Sequence, residues 1–160
     1  MLPDDLIALP LFADLAPNAR ELIAPLCERV AFAAADTLFA EGDRATTVYI
    51  VEAGEVAIRF RPYDGDWLTI ATVRAGGVVG WSAALGRRCY TSSAVCLAPT
   101  AALALRGDRL RALARAAPDL GSLLLGRMAL SISNQQNGFH DQVGRLINEQ
   151  AGLSEGKKES

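Results

Sequence analysis

The chain has 160 residues, which suits one domain with an appended helix, and its 51% hydrophobic content excludes wholesale disorder. Its 16 basic and 18 acidic residues leave a net charge of −2, so there is no electrostatic footprint for a nucleic-acid surface. No apolar run is long enough to span a bilayer, which excludes membrane insertion through a helix.

Met1–Pro10 carries Asp4 and Asp5 and lacks a basic start, so it does not read as a secretory leader. Met1–Val30 is expected to be helical, with Leu6, Leu9 and Leu11–Phe12 as an apolar lead-in and Pro17-Asn18 as punctuation. Ala19–Val30 places Leu22, Ile23 and Leu26 on one face, and Pro25 weakens that helix or ends it early. From Ala35 to Leu105 the period changes to two. Val48–Val51 is a short apolar run. Val56, Ile58 and Phe60 alternate with Ala57, Arg59 and Arg61, predicting one buried and one wet face. Pro62–Asp66 is a turn and Trp67–Val73 returns as a strand, giving a hairpin. Ser93–Leu97 and Ala101–Leu105 are two further strands around Pro99. Short strands with turn signals between them indicate an antiparallel sandwich or barrel.

Between the hairpin and those strands lies Gly76–Ala94, in which a glycine turn leads into a small-residue segment able to wind a short helix. Successive small residues let backbone N–H groups face inward together, which suits an anion, although an ordinary loop explains the same composition. After Gly107 the helical period resumes. Asp108 is placed to cap a helix carrying Leu110 and Leu113 that stops near Pro118, and Asp119 to cap a longer one. The longer helix, about residues 119–150, carries an apolar stripe from Leu120, Leu123, Leu124 and Met128 through Ile132 to Ile147. It either seals against a second copy, making a homodimer, or packs on its own barrel. Residues 1–150 form one domain in this reading, and 151–160 are a polar tail.

No catalytic constellation stands out, so enzymatic activity is not expected. His140 is the only histidine and has no clustered carboxylate or cysteine. Asp64 and Asp66 fit a solvated hairpin tip. Cys27, Cys89 and Cys96 make an odd count without metal-like spacing, which suits a reducing cytoplasm and predicts no metal site. Cys89, beside Arg87 and Arg88, is a minor candidate for a redox-sensitive thiol.

Leu11-Phe12…Leu15, Leu38-Phe39-Ala-Glu41-Gly42-Asp43, and Tyr49-Ile-Val51 with Gly54-Glu-Val56-Ala-Ile58 together resemble the opening of a cyclic-nucleotide-binding domain. This is the sensor half of catabolite-activator-type regulators, and the resemblance runs from about Leu11 to Leu130. It implies an antiparallel β-roll, or jelly-roll barrel, of about eight strands flanked by N-terminal helices and a long C-terminal helix. It also makes Gly76–Ala94 the phosphate-binding cassette. The implied ligand-binding residues are Val79, Gly80, Trp81, Ser82, Ala83, Arg88, Tyr90, Thr91 and Ser92, with Ser133 and Asn134 of the long helix reaching the base.

The cassette departs from the family pattern at two places. The glutamate that follows the cassette glycine and accepts from the ribose is Trp81 here. The arginine that pairs the cyclic phosphate falls at Tyr90 or its neighbour, and Arg88 is the nearest guanidinium, two positions out of register. Loss of such a charge-assisted pair costs about 1.5–3 kcal/mol, or roughly ten- to a hundredfold in affinity. Ser82, Thr91, Ser92 and Ser93 can supply neutral donors. Trp81 and Tyr90 offer faces for a stacked ring, or Trp81 simply fills the vacated pocket. Phe139…Asp141…Gly144-Arg145-Leu146 resembles the hinge into a DNA-binding half, and no recognition helix follows it. The expected function is a stand-alone cytoplasmic regulatory module. It would be dimeric through its last helix, with no direct nucleic-acid binding, and would hold a cyclic nucleotide or related anionic ligand in a modified cassette. The alternative is a ligand-independent interaction module or adaptor subunit of a larger complex.

Overall fold

Short runs of β-branched and aromatic residues separated by turns build the centre of the molecule, because such side chains fit a pleated, half-buried surface. In the computed structural model, which describes residues 9–62 and 65–133, eight strands occur among the described residues. They are β1 (Cys27–Phe32), β2 (Thr37–Phe39), β3 (Thr47–Ala53), β4 (Val56–Phe60), β5 (Leu68–Val73), β6 (Val78–Val79), β7 (Ser93–Cys96) and β8 (Thr100–Arg106). Two four-stranded sheets result, ordered β1-β8-β3-β6 and β2-β7-β4-β5. Every named pairing is antiparallel. Around this roll lie helices α1 (Pro17–Ile23), α2 (Trp81–Ala84), α3 (Gly107–Ala116) and α4 (residues 118–133). The expected antiparallel β-roll with flanking helices is thus present. Val48, Ile50, Val51, Leu103 and Leu105 fill its centre without solvent exposure beyond 1%.

The amino-terminal reading needs correction. The helix expected over Ala19–Val30 ends at Ile23, a 3-10 turn over Ala24–Leu26 contains Pro25, and Cys27–Phe32 is a strand. That strand pairs with all of Thr100–Leu105, from Cys27↔Leu105 to Phe32↔Thr100. Six cross-strand pairs outweigh a helical spacing that the proline had already interrupted. The helix face also divides, since Ile23 is fully buried whereas Leu22 is exposed. In β4 the expected alternation fades along the strand, with Val56 and Ala57 both buried and Phe60 exposed. A register shift between Ile58 and Arg59 accompanies the change, as a bulge re-aims the side chains that follow it.

Asp108 and Asp119 were expected as caps, but each lies inside a first turn. The residue before α3 is Arg106, which makes no side-chain capping bond. Helix α4 starts at Pro118, a position where a missing N–H is no loss. Pro118 also disfavours helical geometry in the residue before it, and Ala117 (φ −132°, ψ 77°) is the one non-helical residue between α3 and α4. Along α4, Leu124 and Met128 are fully buried against the roll, while Leu123 (41%) and Leu130 (64%) point out. The stripe therefore divides between the two roles weighed for it, packing home on one side and standing free on the other. Asn134, His140, the Phe139–Leu146 hinge-like run and the remainder to residue 160 lie outside the described residues.

Candidate functional site

Strand β6 delivers the chain to Gly80, whose left-handed backbone (φ 87°, ψ 34°) turns it abruptly into α2. A Cβ at Gly80 would sit 2.8 Å from the Thr47 carbonyl oxygen and 3.3 Å from the Tyr90 ring, so conformation and space both require glycine. The leading amides of α2, those of Trp81 and Ser82, have no acceptor within the helix, as in any first turn. At its other end α2 abuts α3. Gly107 lets the Ala83 carbonyl approach so closely that a Cβ would collide with it, and Arg111 Nη1 donates to that same oxygen at 2.6 Å.

The far end of the cassette is held by the Glu41-Gly42-Asp43 turn. Asp43 Oδ2 accepts from the Ala40 amide (2.9 Å), Gly42 N donates to Tyr90 O (3.0 Å) and Tyr90 N donates to Asp43 O (2.9 Å). Tyr90 Oη then donates to Thr47 O (2.6 Å) and accepts from Thr47 N (3.0 Å), while its ring stacks on Phe39 at 3.7 Å between centroids. Burial raises the Tyr90 phenol above its ordinary pKa, against hydrogen bonds to Thr46 and Thr47 that lower it. It stays a neutral brace. One of its faces is thereby spent on Phe39.

Between β4, β5, the cassette and α4 opens a cleft of about 630 Å³. Of the residues singled out from sequence, Val79, Gly80, Trp81, Ser82, Tyr90, Thr91, Ser92 and Ser133 line it. Ala83 and Arg88 do not. Ala83 is buried beneath α3, and Arg88 is exposed, its carbonyl accepting from the Ala45 amide at 2.9 Å. Ser93 is turned away too, its hydroxyl accepting from the Glu41 amide at 2.9 Å. Asn134 lies outside the described residues.

Sequence reasoning missed Arg87, which lines the cleft in place of its neighbour, and the aliphatic wall of Ile58, Ile70, Ala71, Val78, Leu85 and Ile132. Ile58 and Ile70 are half-buried within their strands, and although sequence periods mark Ile58 and Ile132 as apolar-face residues, none joins them into one wall. Trp81 is half-buried and lines the cleft, which stays open beside it. Among the described residues no group of three His, Cys, Asp or Glu side chains is placed to hold a metal ion. All three cysteines are free. Cys89, the thiol weighed as a redox sensor, is half-buried and forms an isolated bridge opposite Arg44.

The family model described as the cyclic nucleotide-binding domain matches residues 29–117, more than half of the chain. The chain belongs to that family. Solved structures agree with this assignment. A cyclic nucleotide-binding protein from Geobacter metallireducens is 25% identical with a TM-score of 0.73, covering 84% of this chain and 98% of that one. The N-terminal domain of a transcriptional regulator from Streptomyces coelicolor is 26% identical with a TM-score of 0.65, covering 84% and 94%. The catabolite activator protein of Thermus thermophilus is 26% identical with a TM-score of 0.67, covering 89% of this chain and 65% of that one. No curated protein matches the chain. Among the described residues of this cyclic nucleotide-binding domain, no helix is long and apolar enough to cross a membrane.

Proposed function

We propose that this cyclic nucleotide-binding domain is a regulatory sensor module, in which a small organic anion entering the cleft is read out through α4. The supporting observation is that one helix takes part in two contacts. Ala129, Ile132 and Ser133 of α4 line the cleft, and one turn earlier Arg127 Nη1 donates to the carbonyls of Leu11 (3.0 Å) and Ala13 (2.7 Å). A ligand touching α4 therefore changes the packing of a helix that is also tied to the amino-terminal turn, which is how ligand contacts bias a two-state element. Catalysis forms no part of this reading.

The exposed Leu123 and Leu130 support dimerisation along α4, and the three free cysteines support a cytoplasmic setting. The net charge of −2 supports a module that does not itself bind nucleic acid. Titration calorimetry with cyclic AMP, cyclic GMP, linear nucleotides and simple organic anions, followed by hydrogen exchange over residues 118–133, tests it. The sensor reading requires that any ligand bound in the cleft alter α4 protection. A ligand bound there with α4 exchange unchanged removes it. The second reading, an adaptor whose cleft serves no ligand, predicts a stoichiometric protein partner together with silence in every titration.

A further inference from the structure

The lining of the cleft carries a statement about ligand chemistry that its family membership does not. Its described walls are aliphatic or aromatic on most sides, with Ile58, Ile70, Val79, Trp81, Leu85 and Ile132 as the larger contributors. Its polar members are hydroxyls, those of Ser82, Thr91, Ser92, Ser133 and Tyr90. The last of these is already committed to Thr47. No carboxylate or carboxamide is among the described lining residues. A ribose diol buried here would find hydroxyls and the leading amides of α2 but no carboxylate among the described lining to accept from it, and a purine edge would face aliphatic walls, which disfavours a ligand so polar.

Charge points the same way. Arg87 is the only charged residue in the described lining, it is exposed at the mouth, and it has no ion-pair partner among the described residues. Arg111 lies beside the same corner, where a Cβ on Gly86 would meet its guanidinium at 3.4 Å. A chain with net charge −2 thus presents local positive charge at the rim of an apolar hollow. A volume of about 630 Å³ falls in the range of small-molecule sites.

We infer that the cleft takes an apolar organic monoanion, an aromatic carboxylate whose ring lies against Trp81 and the aliphatic wall and whose carboxylate meets Arg87, in preference to a nucleotide. This rests on the sensor reading only in using the same cleft. The test is isothermal titration of the full chain with 2-naphthoate, its uncharged counterpart 2-naphthamide and cyclic AMP. The expected result is one-to-one binding of 2-naphthoate, about two- to five-fold tighter than 2-naphthamide, as an ion pair to an exposed guanidinium supplies. Arg87→Gln, at an exposed position, should abolish that preference and leave 2-naphthamide unchanged. Ala129→Trp, on the exposed side of α4 where it meets the cleft, should block both.

Cyclic AMP binding more tightly than 2-naphthoate overturns the inference, as does absent 2-naphthoate binding or indifference to Arg87→Gln in protein whose melting is unchanged. The two readings fail separately. Cyclic AMP that binds more tightly than 2-naphthoate and alters exchange over residues 118–133 keeps the sensor and removes the aromatic anion. Binding of 2-naphthoate with no change in that exchange does the reverse.

Discussion

The two helical borders of the cleft are held by different means. On one side α2 and α3 meet backbone to backbone, with Gly107 under the Ala83 carbonyl and Arg111 bonded to that oxygen, and Tyr90 ties the cassette to both the N–H and the carbonyl of Thr47. On the other side α4 is pinned at its start, where Gly121 lies against the Ala114 backbone of α3, and beyond that it rests on the apolar contacts of Leu124 and Met128 and on the guanidinium of Arg127. Contacts with no space to give define a fixed wall, because packed backbones cannot slide by fractions of an ångström without clash. A helix held by side chains can change seats. In the sensor reading proposed above, the difference would place specificity in the cassette and response in the part of α4 beyond Gly121.

The strongest attack on that contrast is Gly107→Ala. Its Cβ would have to displace the Ala83 carbonyl, and a loss of about 3 kcal/mol or more in thermal unfolding is expected. A variant that melts like the parent would show that the fixed wall yields. Next comes Tyr90→Phe, which strips the hydroxyl from Thr47 N and O and should cost about 1–3 kcal/mol through the unpaired backbone groups.

Arg127→Gln sharpens the comparison from the other side. It should cost only about 1 kcal/mol, since the site is partly solvated, while hydrogen exchange rises over residues 9–13 and the β-roll stays protected. Uniformly raised exchange would mean that α4 belongs to the rigid body after all.

High pH addresses the roll beneath both sides. Burial raises the Cys27 thiol in β1 to about 12, from an ordinary 9.0. The folded state thus holds its proton longer than the unfolded chain. The associated stability is complete below about pH 9 and erodes as pH rises toward about 12, by the linkage of proton binding to folding. Melting curves between pH 8 and 11 should fall, and Cys27→Ala should flatten the slope. The smallest effect is expected of Leu130→Glu. Its side chain is 64% exposed, so melting should move by less than about 0.5 kcal/mol. Sedimentation should nonetheless shift from dimer to monomer if α4 pairs with a second copy.

Much of the roll was legible in sequence because its signals are local. The apolar run of β3, the turn in which Gly65 N donates to Pro62 O (3.0 Å) and the glycine at Gly80 each act over a few residues. Strand β1 was not legible, since its reason for being extended is β8, more than 70 residues away by the pairing Cys27↔Leu105. The site divides in the same way. Gly80 and Trp81 announce themselves by position, whereas the choice of Arg87 over Arg88 depends on how the chain after α2 rejoins the sheet. Its determinants are the Arg44↔Cys89 bridge and the Ala45–Arg88 hydrogen bond, both tertiary. The aliphatic wall likewise comes from β4, β5 and α4, segments that only the closed roll brings together.

Ala117 gives this architecture a mechanical ratio. Helix α3 is anchored at Gly107, and α4 departs from it after a single residue freed from helical geometry by Pro118. With a rise of about 1.5 Å per residue, the rod from 118 to 133 is about 24 Å long. A swivel of roughly 10° at that joint would then carry the tip about 4 Å, close to the width of a side chain, while the pivot scarcely stirs. Amplification of that kind needs no rearrangement of the strands, only one pair of torsions and a tilt where Gly121 rests on Ala114.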